Sequence, residues 1–225
     1  MTLKAILFDK DGTLVDFAMT WNGAIIDVIA TLAAGDDAIA RGLAEALHFD
    51  LDRGELKVSS PFIAGSLPEL LPLWADVLGR APDDALHVHL AELFHRGSLE
   101  FAAPIGDPHH VLSHLKAAGY RLGIAELFDA FYGYDSGHGR KPEPDAVLDF
   151  VRRFGYRPDE VALVGDTLHD LDAARAAGSV AIAVTSGLLG HDALAPHADH
   201  VIGSIMELPD LLGRIDGVQA PTPSR

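Results

Sequence analysis

The 225-residue sequence contains no cysteine. This absence excludes a disulfide framework, a thiol nucleophile and a metal site built from thiolates. The apolar run at the start, residues 1–8, is too short for a signal peptide, and no apolar run approaches the roughly 18 to 20 residues of a membrane span. We therefore expect a cytoplasmic protein with no membrane partner.

Positive charge is also scarce. The chain has 17 Lys and Arg against 33 Asp and Glu, which gives a net charge of −16. Nucleic acids and anionic membranes repel such a chain, so neither is expected as a partner. A phosphorylated small molecule needs a local positive centre here, from a metal ion or a placed lysine. With 48% hydrophobic residues, the chain is long enough for one domain or one and a half.

Short apolar runs with little alternation predict strands that are buried on both faces. Helical patterns lie between these runs, and most of them end at a glycine. The alternation indicates an α/β fold, a Rossmann-like parallel sheet core with helices on both faces. The predicted strands are residues 4–8, 121–125, 130–134, 161–164, 180–184 and 200–202, and the predicted helices are 108–118, 145–154, 169–177 and 204–214.

Residues 16–103 interrupt this alternation of strands and helices, because they show helical patterns and no strand-like alternation of apolar and polar residues. The sequence therefore predicts an α-helical cap at 16–103, inserted into a core made of 1–15 and 104–216. Residues 217–225 are rich in proline and are expected to form a mobile tail. The helices predicted within the cap are 20–34, 37–48, 67–79 and 83–99.

The first predicted strand leads into Asp9, Lys10, Asp11, Gly12 and Thr13. Two carboxylates that flank one residue at a strand tip repel each other unless a cation or a shared proton lies between them. Gly12 permits a tight turn that brings the backbone close to a ligand, and Thr13 can cap the segment that follows. Taken alone, these residues also fit a fragment of a calcium loop or a plain turn.

Two later segments place similar groups where strands end or helices begin. Asp166 follows the predicted strand at 161–164, and Asp170 lies one turn into the next helix. Lys141 precedes a helix started by prolines, which hold the backbone stiff. Because ligands of open parallel sheets bind at the carboxyl ends of strands, we expect all these groups to converge. Taken alone, Lys141 fits a solvent-exposed lysine and Asp166 a helix cap.

The chemistry of such a site follows from its groups. Carboxylates without thiolates form a hard, oxygen-rich site that suits Mg²⁺, and Mg²⁺ favours a phosphate oxygen as a further ligand. One aspartate can attack phosphorus and form an aspartyl-phosphate. A second aspartate can protonate the leaving oxygen and then activate water. We therefore expect Mg²⁺ as the cofactor and a small phosphorylated molecule as the substrate.

The chain resembles the haloacid dehalogenase superfamily of aspartyl-phosphate phosphatases, in its C1-capped subgroup. The resemblance covers residues 1–15 and 104–216, and the insertion lies where that subgroup places its cap. Within the superfamily the chain looks most like phosphoglycolate phosphatases, with β-phosphoglucomutases as cousins. The motifs that carry the resemblance are Phe8-Asp9-Lys10-Asp11-Gly12-Thr13, Lys141-Pro142 and Gly165-Asp166-Thr167-x-x-Asp170.

The resemblance implies a role for each of these residues. Asp9 is then the nucleophile and a metal ligand, and Asp11 is the acid/base that also gives its backbone carbonyl to the metal. Lys141 steadies the nucleophile and the phosphate. Asp166 ligates Mg²⁺, and Asp170 is a ligand or lies directly behind one. Asp11 points to phosphoester chemistry, because the dehalogenases of the superfamily lack that acid.

Further candidates lie in the loops around these motifs. Gly12 and Thr13 are predicted to bind substrate, and Arg140 is a candidate for binding a carboxylate or phosphate of the substrate. Ser186 and Gly187 follow the predicted strand at 180–184, in a loop near the site for which the sequence shows no role.

One motif of the superfamily is absent, the Ser or Thr just after the second core strand. Four residues separate the predicted strand at 121–125 from Ala130, whereas a crossover between parallel strands needs about a dozen or more. A fully extended link of four residues spans only ~14 Å, which is too little to carry a helix back along the sheet. Either these two strands are not both parallel neighbours, or a segment is absent. We infer the second, with about 20 residues, including the Ser or Thr, missing after Ala125.

Three other interpretations compete with a phosphatase. A phosphomutase of the same superfamily differs in how long its aspartyl-phosphate survives. A phosphate-binding or regulatory module without turnover is supported by the absent motif alone. A receiver domain of a signalling relay shares acidic strand tips and a lysine, but the long helical insertion after the first strand argues against it.

Overall fold

A computed structural model of the chain describes residues 2–57, 59–120, 130, 137 and 139–216. Within these residues, single 3₁₀ turns occur at Pro158–Glu160 and Ile205–Glu207. The strands are β1 (Ala5–Phe8), β2 (Phe49–Asp50), β3 (Glu55–Leu56), β4 (Val161–Gly165), β5 (Val180–Val184) and β6 (His200–Ile202). The α-helices are α1 (Phe17–Ala33), α2 (Asp37–Ala46), α3 (Pro61–Ala64), α4 (Leu67–Val77), α5 (Asp84–Glu100), α6 (Pro108–Ala117), α7 (Asp145–Phe154), α8 (Leu168–Ala177), α9 (His191–Leu194) and α10 (Leu208–Asp216).

The chain divides into two compact units. One unit consists of Met1–Asp16 and Pro104–Arg225, and the other consists of Phe17–Ala103. We call the first the core unit and the second the insert. The role of the insert as a cap stays a prediction.

The core unit is built on a parallel sheet with the strand order β1-β4-β5-β6. Side chains alternate across this sheet, since successive residues of a strand point to opposite faces. Ile6 and Val164 lie in one apolar cluster with α6 and α10, whereas Leu163 and Ala181 lie in another with α7 and α8. The predicted parallel sheet with helices on both faces is therefore confirmed.

Glycines end two of the helices that lead into or out of this sheet. Gly155 follows α7 and Gly178 follows α8, both in the left-handed conformation, with φ of 71° and 75°. Glycine adopts this conformation without steric cost and so lets the chain turn sharply at a helix end. These turns fix where β4 and β5 begin, and therefore where their carboxyl ends lie.

The insert has an apolar core of its own. Trp74 of α4 is 1% exposed, stacks on Phe94 of α5, and donates its Nε1–H to the carbonyl of Leu43 over 3.0 Å. Helices α1 and α5 approach so closely that a side chain on Gly97 of α5 would overlap Ala24 of α1. Packing of this kind stabilises the helices of the insert.

The prediction that the insert contains helices alone is wrong, because β2 and β3 form an antiparallel hairpin within it. The turn of this hairpin is closed locally. The Asp50 carboxylate accepts hydrogen bonds from the backbone N–H groups of Asp52 and Arg53, and Gly54 has a φ of +68°. Strands of two residues are too short to produce an alternating pattern, so the periodicity of the sequence does not reveal them.

Several sequence predictions lie outside the described residues. These are the strand at 121–125, most of the strand at 130–134, the missing segment after Ala125 and the tail at 217–225. Among the helices that the structure describes, none is both long enough and apolar enough to cross a lipid bilayer.

Candidate active site

The carboxyl ends of β1 and β4 lie side by side and carry the acidic residues. The backbone N–H of Asp9 donates to the carbonyl of Val164 over 2.8 Å, so the ladder between the strands continues to the first aspartate. Asp166 follows directly after Gly165, the last residue of β4. The pairing of the two strands therefore brings residues that are far apart in sequence to one edge of the sheet.

Three carboxylates meet at this edge. One oxygen each of Asp9, Asp166 and Asp170 lies within 4.8 Å of the others. Asp166 and Asp170 are 2% and 1% exposed, whereas the side chain of Asp9 is 22% exposed. Buried carboxylates at this spacing repel one another unless a cation or a proton compensates their charge.

Lys141 supplies part of that compensation. Its Nζ donates to Asp9 Oδ1, and also to Asp170 Oδ1 over 2.6 Å. Burial alone would lower the pKa of Lys141, but the charges of Asp170 and Asp9 outweigh it and the pKa stands raised. The lysine is therefore a permanent cation between the two carboxylates. Burial raises the pKa of Asp9, and the Lys141 ammonium offsets part of that rise.

Asp170 is held from its other side by Thr167, the residue that caps its helix. Its Oδ2 accepts hydrogen bonds from the backbone N–H of Thr167 at 3.0 Å and from the Thr167 hydroxyl at 2.6 Å. This is the arrangement of an N-terminal capping interaction, here at the first turn of α8. One oxygen of Asp170 thus stabilises the helix while the other faces Lys141.

Among the described residues, no lysine, arginine or hydroxyl group compensates the charge of Asp166 in this way. Burial, followed by the charges of Asp9 and Asp170, raises its pKa to about 7. Its Oδ1 is buried and has no hydrogen-bond partner among the described residues. A buried carboxylate oxygen of this kind is costly to leave unpaired. The three carboxylates therefore fit a hard cation, which satisfies the orphaned oxygen and neutralises the repulsion.

The carboxylate of Asp11 is not part of this group of three. Its Oδ2 lies 3.1 Å from Nζ of Lys10, and its backbone pairs with Val15 in an isolated bridge. A tight turn follows, in which the N–H of Gly12 donates to the carbonyl of Val15 over 2.7 Å. The proposed roles of Asp11 as acid/base and as a ligand through its carbonyl stay predictions.

The predicted substrate-binding residues differ in their surroundings. Gly12 lies against the carboxylate of Asp166, so closely that a side chain there would overlap it. Thr13 is fully buried, and its Oγ1 has no hydrogen-bond partner within the described parts of the chain. Arg140 is exposed, and its backbone N–H donates to Glu143 Oε2 over 3.3 Å. Their roles towards a substrate stay predictions.

The structure places two residues at the site for which the sequence shows no role. The hydroxyl of Ser186 donates to the carbonyl of Gly12 over 2.8 Å, and Gly187 lies against the carboxylate of Asp166. A polar residue and a glycine directly after the buried strand β5 are the only local signal for these contacts. Their partners lie far away in sequence, so no local pattern could have identified them.

Comparison with known proteins gives independent information. A sequence model of the family described as haloacid dehalogenase-like hydrolase matches residues 113–184. A phosphoglycolate phosphatase of Shigella boydii is 27% identical over 243 aligned positions, which cover 94% of this chain and 93% of that protein. A phosphoglycolate phosphatase of Chromobacterium violaceum is 40% identical over 92 residues, which make up 41% of this chain and 40% of that protein.

A solved structure shows the same fold along nearly the whole chain. It is a hydrolase of this family from Deinococcus radiodurans, determined with bound phosphate and sodium. It is 24% identical, with a TM-score of 0.64, and the match covers 98% of this chain and 99% of that one. At this identity, the likeness establishes the fold of the chain and nothing beyond it.

Proposed function

We propose that the chain belongs to the haloacid dehalogenase superfamily and is a Mg²⁺-dependent phosphomonoesterase. Its substrate is a small phosphorylated metabolite, and the names of the Shigella and Chromobacterium relatives make 2-phosphoglycolate the first candidate. The observation that carries the proposal is the meeting of Asp9, Asp166 and Asp170 beside the ammonium of Lys141.

Magnesium would be held by Asp9 and Asp166, with the backbone carbonyl of Asp11 and with Asp170 as a ligand or directly behind one. When bound, the ion supplies positive charge that neutralises the carboxylates and the incoming phosphoryl oxygens. The orphaned Oδ1 of Asp166 supports this assignment, because a buried oxygen without a hydrogen donor is a ready ligand for a cation.

The first half of the reaction uses Asp9 as the nucleophile. A carboxylate oxygen of Asp9 attacks phosphorus, a new oxygen–phosphorus bond forms, and the bond from phosphorus to the substrate alcohol breaks. Asp11, in its protonated form, gives its proton to the departing alcohol oxygen. The product of this step is an aspartyl-phosphate on Asp9 together with a free alcohol.

The second half restores the protein. Asp11 is now a carboxylate and accepts a proton from a water molecule as the water oxygen attacks phosphorus. The bond between phosphorus and Asp9 breaks, which releases inorganic phosphate and regenerates the Asp9 carboxylate. Asp11 ends protonated and is ready for the next cycle.

Lys141 keeps the nucleophile in place throughout. Its hydrogen bonds to Asp9 and Asp170 orient both carboxylates, and its charge remains because its pKa is raised. In a chain with a net charge of −16, this cation provides a fixed positive centre for a phosphorylated substrate. Positioned charge of this kind is effective because it needs no reorganisation during the reaction.

A second candidate function is a phosphate-binding protein with little turnover. The alignment with the Shigella relative extends over 243 positions, more than the 225 residues of this chain, so the chain lacks residues that its relative has. That finding is compatible with the missing segment inferred after Ala125, which would carry the phosphate-binding Ser or Thr. Without that hydroxyl, binding can persist while hydrolysis becomes slow.

Release of inorganic phosphate tests the proposal. We expect the wild-type protein to hydrolyse an aryl phosphate and 2-phosphoglycolate with Mg²⁺, without any sugar acceptor, and to stop when EDTA removes the metal. Asp9→Asn should lower the rate by at least ~10³-fold, because an amide is a poor nucleophile. Asp192→Asn is the matched control, since Asp192 is fully exposed and distant in sequence from the site motifs.

The outcomes separate the candidates. Phosphate release that survives in Asp9→Asn would refute the nucleophile assignment. Transfer of the phosphoryl group to an added sugar acceptor, without release of inorganic phosphate, would favour a phosphomutase. A wild-type protein that binds Mg²⁺ and phosphate but releases none from any substrate would favour the binding protein.

A further inference from the structure

The loop after β5 lies against the acidic cluster, and nothing in the proposed reaction yet uses it. Thr185 starts this loop, and its backbone N–H donates to the carbonyl of Ile202 in β6 over 3.0 Å. The next residue, Ser186, donates its hydroxyl to the carbonyl of Gly12, in the turn that follows β1. Two successive residues thus connect the end of β6 with the turn that follows β1.

Gly187 has a more direct contact with the site. A methyl group at this position would overlap the carboxylate of Asp166, and one at Gly12 would overlap the same carboxylate. Asp166 therefore lies between the α-carbons of two glycines that come from different loops. The backbone N–H of Leu188 also acts on this carboxylate, because it opposes the rise of the Asp166 pKa.

The glycine at 187 is required by this contact and not by its backbone conformation. Its φ lies outside the left-handed range, so any residue could adopt the same backbone. The atoms nearest to a side chain at this position all belong to Asp166. A glycine that permits such a close approach indicates that the position of its neighbour matters.

We propose that Ser186 and Gly187 are positioning residues that fix the Asp166 carboxylate and the Gly12 carbonyl around the cation site. This inference rests on the proposed function in so far as that function places Mg²⁺ at Asp166. In this role Ser186 and Gly187 act through Asp166 and through the turn that follows the nucleophile.

Titration of metal-free protein with MgCl₂ in a calorimeter tests this inference without any turnover. Gly187→Ala should weaken Mg²⁺ binding by ~10-fold or more, as expected when a residue that orients a metal ligand is changed. Gly190→Ala is the matched control, because it adds the same methyl group three residues away, in open space. Its Mg²⁺ affinity should equal that of the wild type.

A second pair of variants isolates the hydroxyl of Ser186. Ser186→Ala removes one hydrogen bond and no bulk, and it should weaken Mg²⁺ binding several-fold, whereas Ser186→Thr should restore the affinity. This pair decides the question if Gly187→Ala does not fold. Thermal unfolding in EDTA provides the other readout, because a purely structural role predicts a lower melting temperature with unchanged Mg²⁺ affinity.

Wild-type Mg²⁺ affinity in both Gly187→Ala and Ser186→Ala would overturn the inference. That result would leave the phosphatase proposal untouched. Conversely, a wild-type protein that binds Mg²⁺ but releases no phosphate would refute the phosphatase while these two residues kept their positioning role.

Discussion

Charged side chains are buried together in the core unit, whereas the insert buries aromatic and aliphatic side chains. Asp166 and Asp170 are almost fully buried at the end of β4 and the start of α8. Among the described residues of the insert, the buried polar side chains are those of Thr20 and Ser60, and neither is charged. Burial of like charges costs stability unless a partner compensates them. The core unit should therefore respond to metal and pH, and the insert to changes in packing.

The largest effect is expected from Trp74→Ala in the insert. It removes a fully buried ring and the hydrogen bond to the Leu43 carbonyl, so the free energy of unfolding should fall by about 3–5 kcal/mol. Urea unfolding followed by circular dichroism measures this. Leu73→Ala is the control, since Leu73 is the preceding residue and is 41% exposed. Equal losses in both variants would show that the packing of Trp74 is not what stabilises the insert.

In metal-free protein, Asp166→Asn is expected to raise the free energy of unfolding, the opposite of the effect of Trp74→Ala. The pKa of Asp166 is raised to about 7 from an ordinary 3.8, so the folded state holds the proton more tightly and loses stability as the pH rises between these values. Asparagine carries no charge at any of these pH values, so the variant does not lose stability in this way. The variant should be more stable than the wild type by on the order of 2–4 kcal/mol at pH 8, less at pH 5, and equal below about pH 4.

Thermal unfolding in EDTA across this pH range measures the effect, with Asp192→Asn as the exposed control. A wild-type protein that is as stable as Asp166→Asn at pH 8 would contradict the account of uncompensated charge. With Mg²⁺ added, the order should reverse, because the ion stabilises only the protein that can bind it.

Lys141→Ala is expected to lower the free energy of unfolding by a smaller amount. The change leaves Asp9 and Asp170 without their cation, and breaking a buried ion pair destabilises a protein. The Lys141 side chain is 38% exposed, so we expect about 1–3 kcal/mol rather than the full cost of a dry pair. Chemical unfolding at pH 7.5 in EDTA measures the loss. Lys57→Ala, an exposed lysine of the insert, should be neutral, and a neutral Lys141→Ala would be evidence against the charge cluster.

The smallest effect is expected at a helix start in the insert. The Asp36 carboxylate accepts hydrogen bonds from the N–H groups of Ala38 and Ile39 at 2.8 and 3.1 Å. Asp36→Ala should lower the free energy of unfolding by about 1 kcal/mol, and Asp36→Asn by less, because Asn caps helices nearly as well. Urea unfolding of the two variants measures this difference, and a larger loss in the Asn variant would contradict the capping role.

The sequence is most informative where burial is complete and a glycine marks an end. The predicted bounds of β5, β6 and α7 agree with the structure, since apolar runs and the glycine after α7 define them. Prediction is poorer where structure depends on short-range turns. The helix predicted at 204–214 is a 3₁₀ turn at Ile205–Glu207 followed by α10, because the Ser204 hydroxyl caps the Met206 N–H first.

The residues of the candidate site also differ in how well the sequence predicts their contacts. Asp9, Lys141, Asp166 and Asp170 stand in motifs at strand and helix ends, so their convergence could be anticipated from the topology of a parallel sheet. The contacts of Ser186 could not, because its partner is a backbone carbonyl 174 residues away. Contacts made through the backbone leave no side-chain pattern in the sequence.

In the proposed reaction, Asp9 receives a phosphoryl group beside a cation held by Asp166. A crystal structure with Mg²⁺ and beryllium trifluoride, a mimic of the phosphoryl group on aspartate, would show both groups in place. We expect beryllium bonded to a carboxylate oxygen of Asp9 and Mg²⁺ in contact with Asp166. Beryllium trifluoride bound elsewhere, or a cation outside this cluster, would refute the proposed reaction.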